Sequence, residues 1–226
     1  NLPSGGLSNT QDEFILTGSG PNYGGSSVLA AEGTDLGGAI TDGNAGFFDT
    51  RIGINNAGQF TIITGSTGDS ASNELLLKFD GSSFSIFAQE GSPVPGVAGE
   101  NFGSDFKSVG ITADGTPYFN ARSTEGALDA SMDDFLFHGT TIIAQSGVTV
   151  PTGQDAGEML TWENFDTDRF YMSADGSSYL IQGDLAGFAS NDDIVVVNGA
   201  VVAQEDVTMF GSVLVDSIAE ASMMSN

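Results

Sequence analysis

ITADGTPYFNARSTEGALDASMDDFLFHGTTIIAQ, residues 111–145, reads as strand, Asp-Gly turn, strand, polar loop, strand, His-Gly turn, strand. Asp-Gly and Asn-Gly pairs supply the positive φ of tight hairpin turns, whose twist matches the flanking strands. The same order of signals occurs upstream in 54–89, INNAGQFTIITGSTGDSASNELLLKFDGSSFSIFAQ, and downstream in 172–204, MSADGSSYLIQGDLAGFASNDDIVVVNGAVVAQ.

Three anchors keep one period. Turn glycines fall at Gly58, Gly115 and Gly176, 57 and 61 residues apart (115−58 and 176−115). Hairpin glycines fall at Gly81, Gly139 and Gly199, spaced 58 and 60 (139−81 and 199−139). The pairs Ala88-Gln89, Ala144-Gln145 and Ala203-Gln204 recur with them, and Ala30-Ala31 is an earlier relative. Such a period marks a solenoid, a propeller or a strand array. Each unit has four apolar runs, A to D. In the second unit these are Ser108–Thr112, Pro117–Arg122, Asp134–His138 and Thr141–Gln145. Runs such as Leu75-Leu76-Leu77 and Ile194-Val195-Val196-Val197 do not alternate with polar residues, as expected of strands covered on both faces. The fold expected is all-β, built of four-stranded antiparallel meander repeats, as in a small four-bladed β-propeller.

Residues 1–11 are expected to form a polar N-terminal arm, and 12–226 a single domain. The domain opens with half a unit at 12–32, where Asp12–Thr17 reads as strand C and Ser26–Glu32 as strand D. Units follow at about 48–90, 106–146 and 165–205. Terminal strands are expected within 209–224, with Met209–Asp216 as strand A and Ile218–Met224 as strand B. The two incomplete pieces complement each other. Joined, they make a fourth unit, either within one chain or between subunits in a homo-polymer, and either way hide free sheet edges.

Thirty acidic residues against five basic ones give a formal charge of −25, which repels nucleic acid and anionic membrane surfaces. There is no cysteine and hence no disulfide, and no apolar run approaches the roughly 20 residues of a membrane span. The composition suits an extracellular or cell-surface protein.

The residues give little chemistry. His138 is the one histidine and sits in a hairpin turn, so imidazole catalysis and a zinc site are not expected. Glu32, Glu90 and Glu205, with Ser146 in the remaining place, recur at the end of strand D, where charge would blunt an edge. Arg51, Lys107 and Arg169 sit at the expected start of strand A beside Asp49, Asp105 and Asp168, which predicts structural ion pairs near the axis or the crossing loops. Asp133, Asp134, Asp192 and Asp193 are weak candidates for calcium, a hard cation that takes oxygen ligands; no other cofactor is expected. Trp162 and phenylalanines such as Phe102, Phe106 and Phe165 are expected to pack between units.

Asn55-Asn56-Ala57-Gly58-Gln59-Phe60, followed by Ala88-Gln89-Glu90-Gly91-Ser92-Pro93-Val94-Pro95-Gly96, resembles the NxxGxxAF tandem-repeat family of bacterial secreted and surface-anchored proteins. The second and third units carry Thr112 and Ser173 where that motif has asparagine. The resemblance implies an exported, propeller-like or strand-array protein with no defined catalytic residues. The function expected is a non-enzymatic extracellular structural or adhesive protein, a self-assembling filament or surface-layer subunit. A carbohydrate- or calcium-binding propeller module that meets an extracellular glycan is the alternative. An acid-catalysed glycoside hydrolase, needing two carboxyls about 5–10 Å apart, is the third.

Overall fold

The computed structural model describes residues 12–18, 25–124, 126, 128–155, 159–187 and 191–223; the expected arm at 1–11 and Met224 lie outside them. The described chain is all-β apart from one short 3-10 turn at Ala130–Met132. β1 (Phe14–Thr17) and β2 (Ser27–Ala31) make an antiparallel hairpin. Three four-stranded antiparallel meanders follow. The first unit is β3 (Ala45–Ile54), β4 (Phe60–Ser66), β5 (Glu74–Phe79) and β6 (Phe84–Gln89). The second is β7 (Phe102–Ile111), β8 (Pro117–Ser123), β9 (Asp134–His138) and β10 (Thr141–Gln145). The third is β11 (Trp162–Met172), β12 (Tyr179–Leu185), β13 (Asp193–Val197) and β14 (Ala200–Gln204).

The turn chemistry explains the register. Gly58, Gly115 and Gly176 adopt φ of 76°, 84° and 69°. A side-chain oxygen closes each A-to-B turn: Asn55 Oδ1 accepts from the Ala57 N–H at 3.0 Å, and Asp114 and Asp175 Oδ1 accept from Thr116 and Ser177 at 3.0 Å. Such local bonds fix where β4, β8 and β12 begin.

Strand A is longer than the sequence suggests. β7 starts at Phe102 rather than Ser108, and β3 and β11 start correspondingly early. Register breaks between Phe48 and Ile52, Lys107 and Gly110, and Phe165 and Phe170 bend all three strands. Ser108 and Asp168 take φ of 47° and 62° at these bulges. An inserted residue destroys the two-residue alternation, which hides the strand from a pattern search.

The end of the chain also differs. Met209–Asp216 is not one strand but a tight hairpin, β15 (Met209–Phe210) against β16 (Val213–Leu214), turning at Gly211 with φ of 67°. No strand is formed by 218–223. β1–β2 and β15–β16 are separate two-stranded sheets, so among the described residues no sheet joins the two ends.

The core lies between units. The C–D hairpin occurs four times with the same register break. It pairs Ile15 with Ala30 and then Leu16 with Val28; Leu76 with Ala88 and Leu77 with Ile86. It likewise pairs Leu136 with Ala144 and Phe137 with Ile142; Val195 with Ala203 and Val196 with Val201. The first pair of each hairpin faces the following unit and the second faces the preceding one. Thus Ile15 and Ala30 pack with Leu77 and Ile86, Leu76 and Ala88 with Phe137 and Ile142, and Leu136 and Ala144 with Val196 and Val201. At the seam between the first two units the backbones nearly touch: a Cβ on Gly53 would lie 2.2 Å from Gly110 Cα.

Candidate functional site

The recurring polar residues converge on the seams between units and on the start of strand C. Gln89, Gln145 and Gln204 donate through Nε2 to the carbonyls of Ser72, Met132 and Asn191 at 2.7, 2.8 and 2.9 Å. Each glutamine ties the end of strand D to the B-to-C loop, which accounts for the recurring Ala-Gln pair. The residue after it does related work. Glu32 Oε2 accepts from the Asp12 N–H at 3.1 Å, Glu90 Oε2 accepts from Asn73 and Glu74 at 3.1 and 3.2 Å, and Ser146 Oγ accepts from Asp134 at 3.1 Å. Glu32, Glu90 and Ser146 therefore bracket the loop at the end of strand D, which is an edge strand in each four-stranded sheet, because the donors of strand C lie within reach.

A second set latches unit to unit. The first carboxylate of each strand C, at Glu13, Glu74, Asp134 and Asp193, is set against the backbone N–H of the next inner strand. The Phe48 N–H donates to Glu13 Oε2 at 2.5 Å. The N–H groups of Phe106, Phe165 and Ile218 lie near Glu74, Asp134 and Asp193 and work to lower their carboxyl pKa. Burial outweighs this help. It pushes the Glu74 carboxyl up to about 7, and Asp134 and Asp193 up to about 6. One oxygen of each, Glu74 Oε2, Asp134 Oδ1 and Asp193 Oδ1, is buried without a hydrogen-bond partner, which favours the protonated form.

The fourth latch shows what the C-terminal segment is. Asp206 N–H donates to the Val215 carbonyl at 2.7 Å, as Gly33 does to Ala45, and Gly91 to Phe102, at 2.7 Å, and Gly147 to Trp162 at 2.8 Å. Val215 and Ile218 thus stand where Ala45 and Phe48 stand at the start of β3. Gln182, buried on β12, holds this segment by donating to the Ile218 carbonyl at 3.0 Å and accepting from the Ala221 N–H at 2.8 Å. Residues 215–223 occupy the place in which β3, β7 and β11 begin, and among the described residues no strand pairs with them.

The predicted ion pairs lie on β3, β7 and β11, the first strand of each unit, at the bulges rather than at the strand starts. Arg51 binds Asp49 at 2.6 Å and reaches across from β3 to Asp168 on β11 at 3.6 Å. Lys107 binds Asp105 at 2.8 Å. Arg169 turns away from its neighbour Asp168 to Glu220 of the terminal segment, at 3.6 Å. The Arg51 guanidinium holds Asp49 below the usual carboxylate range. These groups are partly exposed, so each pair contributes roughly 0–1 kcal/mol. Arg51→Gln with Arg169→Gln is expected to lower the melting temperature by less than about 5 °C in calorimetry; a much larger drop would mean that the packing of these strands depends on these cations.

Two cavities lie between the first strands of the units. One, of about 370 Å³, is lined by Arg51, Ser108, Tyr118, Asp168 and Phe170. The other, of about 450 Å³, lies among the A-to-B turns and is lined by Asn55, Asn56, Tyr118, Tyr171 and Met223. No protein-family model, curated protein or solved structure matches the chain.

The calcium candidates are spread over other tasks. Asp133 pairs with Arg122 at 3.0 Å, Asp134 and Asp193 are latch residues, and among the described residues no three His, Asp or Glu side chains gather as a metal site. His138 packs beside the third unit's turn, with Gly176 and Thr112 as neighbours of the same space. The latch was the part that sequence reasoning missed. Its signal was present, since an acid opens strand C in every unit.

Proposed function

We propose that the chain is a non-catalytic, propeller-like structural module of the cell exterior that associates with further copies of itself. The observation that carries this is the repeated latch. Glu13 accepts from Phe48, Glu74, Asp134 and Asp193 face the corresponding N–H groups of Phe106, Phe165 and Ile218, and Gln182 holds residues 215–223. Four inner segments around axial cavities fit a four-bladed plan, with the last blade lacking outer strands of its own beside its inner one. A single active site needs no copies, and here the recurring carboxylates, glutamines and turn oxygens are spent on joining units. A charge of −25 keeps such a module soluble.

Light scattering over a wide concentration range tests self-association. Particles larger than the 23.2 kDa chain are expected, with filaments or sheets in negative-stain images. A strictly monomeric protein under all conditions would overturn it. The second reading, a glycan-binding module, draws on Asn56, Tyr118 and Tyr171 at the cavity among the turns. A glycan array would favour it only if binding were lost with Tyr171→Ala.

A further inference from the structure

We infer that copies join head to tail by rebuilding the seam that already joins units within the chain, with Leu16 and Val28 of one copy seated on Val195 and Ala203 of the next. This rests on the self-association proposed above and names its contact. The repeat supplies the argument. Every C–D hairpin has one pair aimed forward and one aimed back, and three seams unite a forward pair with a backward pair. Counting along the chain leaves one forward pair, Val195 and Ala203, and one backward pair, Leu16 and Val28. The backward pair is open: Leu16 is 59% and Val28 57% exposed, whereas Leu77, in the place of Leu16, is 0% exposed. The forward pair lines a groove of about 560 Å³ with Phe210, Val213, Leu214 and Ile218. Phe210 and Val213 are themselves 66% and 67% exposed.

The same lack shows on β3. Ile52 and Ile54 are 46% and 67% exposed, while their counterparts on β11, Phe170 and Met172, are buried by the preceding unit at 3% and 8%. An apolar face of this kind marks an interaction site. Its shape is that of the repeat, so the complementary partner is another copy of the repeat. Within one chain the backward face stands open, the forward pair is reached through the groove, with Val195 itself 6% exposed, and among the described residues no sheet joins the ends, so the occupant is a second copy. The contact is heterologous, the faces being different, and such a contact builds a chain or a ring of copies. Acidic groups stand next to both hairpins, Asp12, Glu13 and Glu32 in the chain beside β1 and β2, and Asp192 and Asp216 close to Glu205 at the other end. Their repulsion is relieved by salt, since the screening length falls from about 30 Å at 0.01 M to about 3 Å at 1 M. Association is therefore expected to strengthen with salt, the reverse of an interface held by ion pairs.

The chain has no cysteine, so introduced thiols are unique. Leu16→Cys and Ala203→Cys proteins, mixed and treated with oxidised glutathione, are expected to yield disulfide-linked dimers of one copy of each. Each variant alone should yield at least about tenfold less (on the order of 1.4 kcal/mol), and the mixed yield should rise with salt. Leu16→Asp with Val28→Asp should return the protein to single chains without changing its melting temperature, because both side chains are exposed. If assemblies persist in that double variant and the mixed disulfide is absent, this seam is wrong while self-association stands. If wild type stays monomeric and a chain bearing both cysteines closes on itself at high dilution, the seam forms within the chain, and both the second copy and self-association are overturned.

Discussion

Phe137→Ala is expected to destabilise the protein by about 3–5 kcal/mol, the usual cost of emptying a phenylalanine site in a packed core. In a chain of this size that lowers the melting temperature by about 10 °C. Phe137 is fully buried on β9 and points back at the first unit. Its ring stacks on Phe119 with centroids 5.0 Å apart and meets Phe102 edge-on at 5.7 Å. Alanine would remove a ring touched from two strands of its own sheet and from Leu76 and Ala88 across the seam, and rigid strands on both sides limit collapse into the void. In an array each unit rests on its neighbours alone, so the loss is local to one seam. Hydrogen exchange should quicken in β3–β10 before β11–β14 responds. Phe210→Ala provides the contrast, because Phe210 is 66% exposed. Its expected effect on the single chain is within about 0.5 kcal/mol. Equal losses in the two variants would show that the seams are not what holds the units.

The repeat was legible because its turn residues are local signals. Gly58, Gly115 and Gly176 sit at positive φ, and the chemistry that demands glycine there needs no knowledge of distant residues. The C and D strands were legible for a related reason. Their buried runs, such as Leu75-Leu76-Leu77, are continuous and lie between turns. Strand A resisted because of its bulges: the positive φ of Ser108 and Asp168 re-aims side chains midway. The ion-pair residues were visible as pairs in sequence, yet the Arg51 to Asp168 contact spans 117 residues (168−51) and is set by how sheets pack. The terminal segment failed in the opposite sense. Met209–Asp216 has a strand's composition, but Gly211 permits a turn and no strand B follows to pair with it. Likewise the place of Glu90 beside an edge strand was legible, but the Asn73 and Glu74 N–H groups it accepts from were not. A side chain's partner across a loop is a tertiary fact that spacing does not carry.

Stability should fall as the solution is taken from pH 5 to pH 8, with the seams responsible. In the folded chain burial raises Asp134 to about 6, Asp193 to about 6 and Glu74 to about 7, above the ordinary range for carboxyls of about 4. A group raised on folding contributes fully below its unfolded pKa, where both states hold the proton. The contribution fades as pH climbs through the folded value, because the unfolded chain sheds the proton more readily. The window is therefore about pH 4 to 7. Asp134 is 7% exposed, and its shift of about two units corresponds to an effect on the order of 3 kcal/mol. On the acid side Asp49, Asp80, Asp114 and Asp175 are held low by Arg51 or by hydrogen bonds from their turns, and they lose their contribution as pH falls below about 4. The two trends place the melting maximum near pH 4 to 5. Asp134→Asn mimics the protonated side chain. It should raise the melting temperature at pH 8 by several degrees, leave it unchanged at pH 4 and flatten the slope between. Repulsion within a chain of charge −25 acts in the same direction, so Glu163→Gln serves as the control: it removes an equal charge from an exposed site on β11. If both substitutions flatten the curve equally, general repulsion governs the slope; if Asp134→Asn alone does so, the buried seam carboxyls do.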